Sequence, residues 1–455
     1  MEQFTQLVDN IRDFLWGWPL LILLLGTHLF LTFRLRFVQR HMGKAIKLSI
    51  TKDDKSAGEI SQFSALATSL AATIGTGNIV GVATAVAIGG PGAVLWTWLT
   101  GVLGIATKYS EGLLAVKYRV KNKNGSFSGG PMYALEYGLN SKTLAVLFAV
   151  FTAIASFGIG SSIQANSLTI AIHSSFGFDK TYIAIVVTIL AAAVTLGGIK
   201  SISKVCNKLV PFMAIFYIIG CVLLIIIGYD TIPQTIITIV KTAFTGQAAV
   251  GGFIGSTIMM AARNGVSRGL FSNESGMGSA PIVAAAAQTR NPVRQALVSA
   301  SGTFWDTVIV CALTGIVLVN TGAWSSGQKG MEITKFAFDQ IPYIGGAFLS
   351  IALITFTFST IIGWSYYAEK AVEYLFGRKA IIYYRIIYLA TVYLGCILSI
   401  DLVWNLGDIF NGMMAIPNLI ALLLLSGVIV AETKKYLWSG KIDDYSDDEV
   451  RKVDK

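Results

Sequence analysis

The sequence predicts an all-α polytopic membrane protein, and three observations lead to that prediction. Hydrophobic residues make up 54% of the 455 residues and charged residues only 13%, with a mean hydropathy of +0.65. Apolar runs of about 18 to 30 residues, long enough to cross a hydrocarbon layer of roughly 30 Å, recur along the chain. Similar features also recur at an offset of 201 residues, the distance from Pro91 to Pro292. Soluble multidomain architectures are excluded because 60 charged side chains cannot cover so much apolar surface.

The apolar runs predict eleven transmembrane helices. In chain order they lie near 16–33, 62–90, 92–116, 143–172, 181–199, 208–228, 250–289, 293–320, 344–369, 381–400 and 405–431. The first run is not expected to be a cleaved signal peptide, because Asp9 and Asp13 precede it and Arg34 and Arg36 follow it.

The basic residues predict the orientation of these helices. If the N-terminus lies outside, 28 of the 35 Lys and Arg residues fall on the cytoplasmic side and five fall outside. The remaining two, Arg263 and Arg268, lie in a segment whose depth the sequence does not fix. We therefore expect the N-terminus outside, the C-terminus in the cytoplasm, and no nucleic-acid partner for the net charge of +10.

The offset of 201 residues predicts an internal repeat. It places residues 75–78 over 276–279 and relates ten crossings as two sets of five. Because five is odd, the two sets enter the membrane from opposite sides, as in the LeuT-type inverted repeat with broken first helices. The predicted divisions are an N-terminal helix and basic loop (1–58), a first repeat (59–229), a second repeat (230–435) and a cytoplasmic tail (436–455).

The second crossing is interrupted near its centre by Gly75, Thr76, Gly77 and Asn78. Two glycines cost roughly 1 kcal/mol each in a helix interior, and backbone groups freed in lipid need polar partners. Such a break exposes N–H groups that suit a carboxylate and carbonyls that suit a cation. On the glycines alone, close helix packing through small residues stays an open alternative.

Oxygen atoms around this break predict a cation site. The carbonyls of Ala71 and Ile74 are expected on one helix face, and Phe356, Ser359 and Thr360 offer a carbonyl and two hydroxyls on a neighbouring helix. Five neutral oxygens form the hard ligand set that a small monovalent cation prefers. The alternative for the two hydroxyls is bonding back to the preceding helical turn.

Two longer stretches carry a family resemblance. GGPGAVLWTWLTG at 89–101 and RGLFSNESGMGSAP at 268–281 resemble segments of the alanine or glycine:cation symporter family, also called the sodium:alanine symporter family. The likeness covers nearly the whole chain. It implies a sodium-coupled carrier of small amino acids in the cell membrane, with Na+ co-transported and no prosthetic group. In related five-helix-repeat carriers, a sodium site follows the pattern of the five residues above position by position.

The resemblance implies alanine or glycine as substrate. The substrate carboxylate is expected on the N–H groups of Thr76 and Gly77, with Asn78 contacting the substrate or a second ion. Gln164 is expected to accept from the ammonium, and Phe157 and Trp364 to limit side-chain size, a selection of roughly 1 to 3 kcal/mol per methylene. Ordinary helix packing is the alternative for these last three.

The partner break lies in the long run 250–289. The repeat places it at 273–279, whereas glycines at 251–257 offer an earlier position; we favour the later one as lining the pathway. Glu274 is expected to pair with the nearby Arg268. The candidate substrate-binding residues are therefore Gly75, Thr76, Gly77, Asn78, Phe157, Gln164, Asn273, Gly276 and Trp364.

Several remaining polar features have simple expectations. Asp306 lies inside a crossing, where a proton relay and a helix-orienting role both stay open. Lys108 and Glu111 are expected to form a local pair, and the acidic tail at 443–449 a solvated terminus. The four cysteines lack metal-ligand spacing and are expected to be buried thiols.

The competing functions are a hydrolase, a channel and a proton-coupled carrier of another small substrate. The G-x-S-x-G match at 265–269 has meaning only on a strand-to-helix elbow with a partnered histidine, and a helical segment is predicted there. Inverted repeats with paired breaks favour alternating access over an open pore. Sodium bound beside the substrate would raise substrate affinity, and each ligand would affect the other by the same factor.

Overall fold

The computed structural model describes residues 2–51, 53, 56–248, 255–398, 401–446 and 449–453. The helices of the first half are α1 Glu2–Leu15, α2 Trp18–Arg34, α3 Met42–Ser49, α4 Gln62–Thr73, α5 Val82–Gly89, α6 Ala93–Lys117, α7 Pro131–Gly138, α8 Lys142–Ala155, α9 Ile163–Phe176, α10 Lys180–Thr195 and α11 Gly198–Ile227. Those of the second half are α12 Ile232–Thr245, α13 Ile258–Asn273, α14 Pro281–Ala284, α15 Pro292–Thr303, α16 Ala312–Asn320, α17 Met331–Phe338, α18 Gly345–Phe376, α19 Ile381–Ile397, α20 Asp401–Leu424 and α21 Ser426–Thr433.

Wider π-helical turns join or extend several of these helices. They span Gly77–Gly81, Ser156–Ser162, Phe304–Cys311 and Lys434–Trp438. The second joins α8 to α9 and the third joins α15 to α16. Short 3₁₀ turns lie at Val38–His41, Tyr229–Thr231, Ala323–Ser325 and Arg378–Ala380. Turns of the π type are frequent at functional sites because they displace side chains from the regular helical register.

The described helices support a multi-pass membrane protein. Seven continuous helical segments, some of them made of two of the helices above, are long and apolar enough to cross a membrane, or eight if α4 and the segment 77–89 form one bent span. Three predicted crossings are not among these eight spans. The crossing at 92–116 corresponds to α6, and those at 181–199 and 250–289 correspond to α10 and α13, which have 16 residues each, fewer than the roughly 20 of a typical span. The number eleven is therefore not established by helix length and composition.

The outer helices present large apolar side chains to their surroundings. Ile189 on α10, Phe212 and Ile226 on α11, Ile237 on α12 and Ile386 on α19 are all exposed. In water such a surface would cause aggregation, whereas in a bilayer it contacts acyl chains. The membrane assignment thus agrees with the surface as well as with helix length.

Two broken helices run in opposite directions through the centre. The first is α4 with the segment 77–89, and the second is α13 with α14. The amide of Gln288, just after the second, donates to the carbonyl of Ile60, just before the first, at 2.8 Å. At the other end the Ser256 hydroxyl donates to the Gly89 carbonyl at 2.9 Å. The start of each broken helix therefore lies beside the end of the other.

Helices α6, α11, α15 and α18 enclose the first broken helix. Helix α4 packs against α11, α15 and α18, while α5 packs against α13. Helix α13 also lies along α6, which in turn packs against α15. The break in the first helix is thereby held among buried neighbours rather than at the lipid-facing surface.

A small sheet joins the C-terminal tail to a loop. Its strands are β1 Val120–Asn122, β2 Phe127–Ser128 and β3 Arg451–Val453, in the order β2-β1-β3. Strand β1 pairs antiparallel with β2 and parallel with β3.

The acidic tail before β3 is largely exposed, as expected, but it also makes specific contacts with the rest of the protein. Asp443 forms an ion pair with Arg294, and the Asn291 side chain donates to the carbonyl of Ile442 at 2.9 Å. The acidic residues Asp447 and Asp448 lie outside the described part of the chain. The tail thus contacts the segment that leads from the second broken helix into α15.

Candidate functional site

The first broken helix is interrupted where the glycines predict. Helix α4 ends at Thr73, Ile74 has an extended backbone (φ −77°, ψ 99°), and the helical segment that resumes at Gly77 is bent by 52° from α4. A Cβ atom on Gly75 would lie 2.5 Å from the Thr360 hydroxyl oxygen. Glycine is therefore required at this position, because the break packs directly against α18.

The Asn78 side chain stabilises the break. Its Oδ1 accepts from the Gly75 amide at 2.9 Å, which in an uninterrupted helix would bond to the carbonyl of Ala71. Its Nδ2 donates to Asp306 Oδ1 at 2.7 Å. Asn78 thus satisfies a freed amide that lipid could not satisfy, and leaves the Ala71 carbonyl without its usual helical donor.

The oxygens predicted to bind a cation come together at the break. The Ile74 carbonyl lies 3.4 Å from Ser359 Oγ and 3.3 Å from Thr360 Oγ1. The same hydroxyls lie 2.8 and 3.0 Å from the Phe356 carbonyl. All four residues are at most 2% exposed. The hydroxyls bond back to their own helix, as the alternative predicts, and they also face the end of α4, where the cation site stays a prediction.

The Gln164 amide faces the same break from α9. Its Nε2 lies 3.3 Å from Thr76 Oγ1 and 3.2 Å from the Ile159 carbonyl. Its Oε1 is buried and has no hydrogen-bond partner within the described chain, and it lies 3.4 Å from where a Gly75 Cβ would be. An unpaired buried carbonyl oxygen costs free energy, so this acceptor suits a ligand with N–H groups.

A cavity of about 270 Å³ reaches the break. Thr76 and Gly77 line it on one side, and Arg268, Phe271 and Asp408 lie on the other. A Cβ on Gly77 would lie 3.3 Å from the Ser272 Cα, so little space separates the two broken helices here. The amides at the start of the resumed helix therefore lie beside a space that a small molecule can enter.

Trp364 links α18 to the second break. Its indole nitrogen donates to Glu274 Oε1 at 3.0 Å, and its ring packs over Gly160, where a Cβ would lie 2.6 Å from the Trp364 Cβ. Glu274 Oε2 also accepts from Ser279 at 2.5 Å. The expected pair with Arg268 does not form within the described structure, because the carboxylate has these neutral donors instead.

The second break lies at 274–280, one residue beyond the 273–279 that the repeat predicts. Helix α13 ends at Asn273, whose Oδ1 accepts from the Ser275 amide at 2.9 Å, and α14 begins at Pro281. Glu274, Gly276 and Gly278 have φ of 52°, 91° and 86°. Of the alternative position, Gly251 and Gly252 lie outside the described residues.

Glu111 of α6 occupies the amides of this second break. Its Oε1 accepts from the amides of Gly276 and Gly278, each at 3.0 Å, and from Asn418 at 2.7 Å. The expected pair with Lys108 is not formed; the Lys108 ammonium nitrogen is buried and has no hydrogen-bond partner in the described chain. The Gly276 amide is therefore already bonded to a carboxylate of the protein itself, that of Glu111.

The structure brings some candidate residues together and separates others. Gly75, Thr76, Gly77, Asn78 and Gln164 meet at the first break. Trp364, Asn273 and Gly276 belong to the surroundings of the second break. The Phe157 ring packs 5.7 Å from that of Tyr384 on α19, between ring centroids.

Sequence reasoning did not predict the partners of Asp306. Its carboxylate accepts from Asn78 on the first broken helix and from Ser272 on the second. The signal for a role was present, because an acid within an apolar span is rarely without function. The sequence did not indicate which residues Asp306 bonds to, because these partners depend on how the two broken helices pack.

A multi-pass helical protein with two oppositely directed broken helices, the first of which ends beside hydroxyls of a third helix, has the architecture that secondary transporters use. The match at 265–269 lies inside α13, without the elbow that a hydrolase needs. The chain belongs to the sodium:alanine symporter family, whose model matches residues 1–450. It is therefore a symporter rather than an enzyme, with sodium as the co-transported ion.

Individual relatives agree with the family. The chain is 50% identical over 444 residues to the sodium/alanine symporter AgcS of Methanococcus maripaludis, covering 95% of this chain and 97% of the relative. It is 38% identical over 445 residues to the probable sodium/glutamine symporter GlnT of Bacillus subtilis, covering 96% and 91%. The manganese transporter of Eremococcus coleocola, crystallised with an aromatic bis-isothiourea substituted compound, matches with a TM-score of 0.50 at 13% identity over 84% and 83% of the two chains. That likeness concerns the fold alone.

Proposed function

We propose that the protein imports alanine and glycine together with sodium across the cell membrane by alternating access. The observation that carries this proposal is the position of Ile74. Its carbonyl faces the Ser359 and Thr360 hydroxyls, while Thr76, two residues on, lines the cavity. An ion and a zwitterion bound there would share one short, non-helical peptide segment.

The proposed sodium ligands are the carbonyls of Ala71, Ile74 and Phe356 and the hydroxyls of Ser359 and Thr360. Four of these oxygens already lie within 3.4 Å of a neighbour in the set. The fifth, on Ala71, lacks its usual amide donor because Gly75 donates to Asn78. Neutral carbonyl and hydroxyl oxygens at a broken helix suit sodium, which needs no carboxylate there.

The proposed substrate site uses both ends of an amino acid. The amides of Thr76 and Gly77, at the start of the resumed helix, would bind the carboxylate, since a helix N-terminus carries partial positive charge. The free Gln164 Oε1 would accept from the ammonium. Trp364 would limit the side chain to a small size, because its fixed, buried ring leaves no room to move.

The remaining candidate residues have supporting roles in this proposal. Gly75 allows α18 to pack closely against the break, and Asn78 accepts a hydrogen bond from the Gly75 amide that the break leaves free. Asn273 and Gly276 would line the pathway at the second break, held there by Ser275 and Glu111. Phe157, packed on α19, would act on the site only through the position of its helix.

Replacing Gln164 by leucine is expected to raise the KM for alanine by about tenfold or more with little change in sodium affinity. The reason is that a hydrogen bond to a charged group contributes about 1.5 to 3 kcal/mol. Initial uptake rates at saturating sodium measure the effect. Asn166→Leu is the matched control, because that amide donates instead to the carbonyls of Gly395 on α19 and of Leu398 just after it. Equal effects of the two substitutions would contradict the ammonium assignment.

We further propose eleven crossings arranged as one N-terminal helix and two inverted sets of five, divided near 58, 229 and 435. The opposite directions of the two broken helices support the inversion. The distribution of Lys and Arg supports an external N-terminus and a cytoplasmic C-terminus. Cysteine accessibility labelling of loops from either side of the membrane tests this arrangement.

Coupling follows from the shared segment. Sodium bound at Ile74 would fix the backbone that presents Thr76 and Gly77, so each ligand raises the affinity of the other by the same factor. Inward movement of the ion also gains roughly 2.3 kcal/mol per charge for each 100 mV of membrane potential. Substrate accumulation would then follow the sodium gradient and the potential together.

Uptake of radiolabelled alanine and glycine into proteoliposomes tests the function. With an inward sodium gradient, we expect both to accumulate above their external concentration and to compete with each other. Glutamine, which the name of the Bacillus relative points to, is the competitor to include. Accumulation driven by a proton gradient without sodium would favour the proton-coupled alternative and contradict the proposal.

A further inference from the structure

The two broken helices touch each other at the end of the molecule that the proposed orientation places in the cytoplasm. The amides of Glu59 and Ile60, just before α4, donate to the Ala286 carbonyl, just after α14, at 2.8 and 3.2 Å. The Gln288 amide donates in turn to the Ile60 carbonyl. We call this contact the inner junction. In alternating access, release of a substrate toward the cytoplasm requires these segments to part.

Arg119, two residues after the end of α6, holds the inner junction together. Its guanidinium donates to the carbonyls of Ala285 and Ala287 at 3.2 and 2.9 Å, and to that of Ala57 at 3.1 Å. The first two carbonyls follow α14, and the third precedes α4. Arg119 is buried, so these bonds are shielded from water. Strand β1 begins at the next residue, Val120, so an element that fixes β1 also fixes this guanidinium.

The tail fixes β1 through strand β3. The two strands pair in parallel, with Val120 opposite Arg451 and Asn122 opposite Val453. The Arg451 guanidinium also lies 4.2 Å from the centre of the Tyr137 ring on α7, a cation–π contact. Strand β3 therefore joins β1 to a helix outside the inner junction.

An earlier part of the tail binds the connection from the second broken helix to α15. Asp443 forms its ion pair with Arg294, and the Asp443 carbonyl accepts from Arg290 at 3.0 Å. The Ser446 amide donates to the Arg290 carbonyl at 2.8 Å. Both arginines also face Asp53, which precedes the first broken helix, at nitrogen-to-oxygen distances of 3.2 and 3.7 Å. Two cations therefore lie between an acid of the tail and an acid that precedes α4.

These attachments are of a kind that can be released without unfolding the protein. The Asp443 side chain is 70% exposed, and exposed ion pairs are individually weak and are screened by salt. Ile442 is the single buried residue among the described positions 441–446 and 449–453. The strand adds only three residues of pairing. The tail is thus held at two separate points by contacts that are weak one by one.

We infer that residues 442–446 and 449–453 form a latch that holds the inner junction closed and slows opening toward the cytoplasm. This inference rests on the proposed function and its orientation. Strand β3 acts through β1 and Arg119, and Asp443 acts through Arg294 and Arg290. Contacts made only in the closed state stabilise that state, so release of the latch raises the population open to the cytoplasm. Ionic strength in the cytoplasm then influences the rate of import.

Cys206 is a native reporter of this opening. It lies on α11 near the proposed cytoplasmic end, is fully buried and hydrogen-bonds with Thr68 on α4. Movement of α4 away from α11 exposes its thiol, whereas Cys221, about 22 Å further along the same helix and equally buried, stays covered. Maleimide labelling of purified full-length protein, quantified for each cysteine by peptide mass spectrometry, therefore separates opening of the junction from general loosening.

Asp443→Arg is expected to label at Cys206 roughly threefold faster than the wild type, because attraction to Arg294 becomes repulsion. Adding Lys452→Pro and Val453→Pro is expected to raise the difference to about tenfold. Successive residues of a strand point their N–H groups to opposite sides, so one of the two prolines removes a donor to β1.

Asp444→Arg is the matched control for the charge change. In the described part of the tail, Asp444 is bonded through its backbone, with its carbonyl accepting from Asn291 at 2.9 Å, and not through an ion pair. It is expected to label at the wild-type rate, and Cys221 is expected to stay unlabelled in every variant. Raising potassium chloride from about 0.1 to 1 M at constant sodium shortens the screening length from roughly 10 to 3 Å. Wild-type labelling at Cys206 is then expected to approach that of Asp443→Arg.

Each other result overturns a defined part. Equal labelling of Cys206 in the wild type and the combined variant refutes the latch and leaves the proposed function intact. A parallel rise at Cys206 and Cys221 means general loosening and also refutes the latch. If the combined variant does not fold, the salt series on the wild type decides, and a labelling rate independent of salt overturns the inference. Wild-type alanine uptake that ignores sodium contradicts the proposed function instead, whatever the labelling shows.

Discussion

Replacing Ser359 and Thr360 together by alanine is expected to abolish sodium-dependent alanine uptake in liposomes. Both hydroxyls face the Ile74 carbonyl, and the double substitution removes two of five proposed ligands. Two interactions with a cation at about 1.5 kcal/mol or more each correspond to at least a hundredfold loss of sodium affinity. Alanine uptake measured against external sodium concentration reports the loss directly.

Thr357→Ala is the matched control for this double variant. Thr357 lies on the same helix and is fully buried, but its hydroxyl bonds to the carbonyls of Leu353 and Ile354 away from the break. Its removal is expected to leave the sodium dependence unchanged, and so is the exchange of Thr360 for serine, which keeps a hydroxyl. Normal sodium dependence in the double variant would refute the cation site.

Gly77→Leu is expected to eliminate alanine binding while the protein still folds. A Cβ there lies 3.3 Å from the Ser272 Cα and 3.4 Å from Phe271, so a larger side chain enters the cavity beside the Thr76 amide. The leucine fills the space that the proposal gives to the substrate. Binding of radiolabelled alanine to detergent-purified protein measures the loss, which we expect to exceed a hundredfold in Kd, or roughly 2.7 kcal/mol.

Gly26→Leu separates this effect from the general cost of adding a leucine to a membrane helix. Gly26 lies on α2 and has open space where its Cβ would be. The control is expected to bind alanine normally, and Gly77→Ala is expected to be intermediate. Alanine affinity at the wild-type level in Gly77→Leu would rule out the Thr76 and Gly77 amides as the carboxylate site.

The sequence was sufficient to predict the features that follow from local chemistry. Two glycines within three residues of an apolar run indicated a break at Gly75, with close helix packing as the alternative, and α4 does end just before them at Thr73. The repeat offset placed the second break at 273–279, and the positive φ angles of Glu274 and Gly276 agree with a break there. The spacing of Ser359 and Thr360 indicated that both hydroxyls lie on one face of α18. These are consequences of helix periodicity and backbone sterics, which a single sequence contains.

The features that were missed depend on contacts between distant segments. Glu111 looked like the partner of Lys108, three residues earlier, but bonds instead to amides of the second break more than 160 positions away. Glu274 likewise accepts from Trp364 on another helix. Two opposite charges that are close in the sequence suggest an ion pair between them. In a buried site, however, the partners that form are those that leave the fewest polar groups without a hydrogen bond. Only the packed structure reveals which partner that is.

The strand at Arg451–Val453 has a practical consequence for fusion proteins. It adds to β1 beside the loop after α6, and the preceding tail is bonded to Arg294 at the start of α15. A fluorescent reporter or affinity tag fused directly after this strand would disturb these contacts and thereby the position of α15, the helix that continues into the segment containing Asp306. Such a tag belongs on a flexible spacer, and its removal before kinetic work would show whether it had altered turnover.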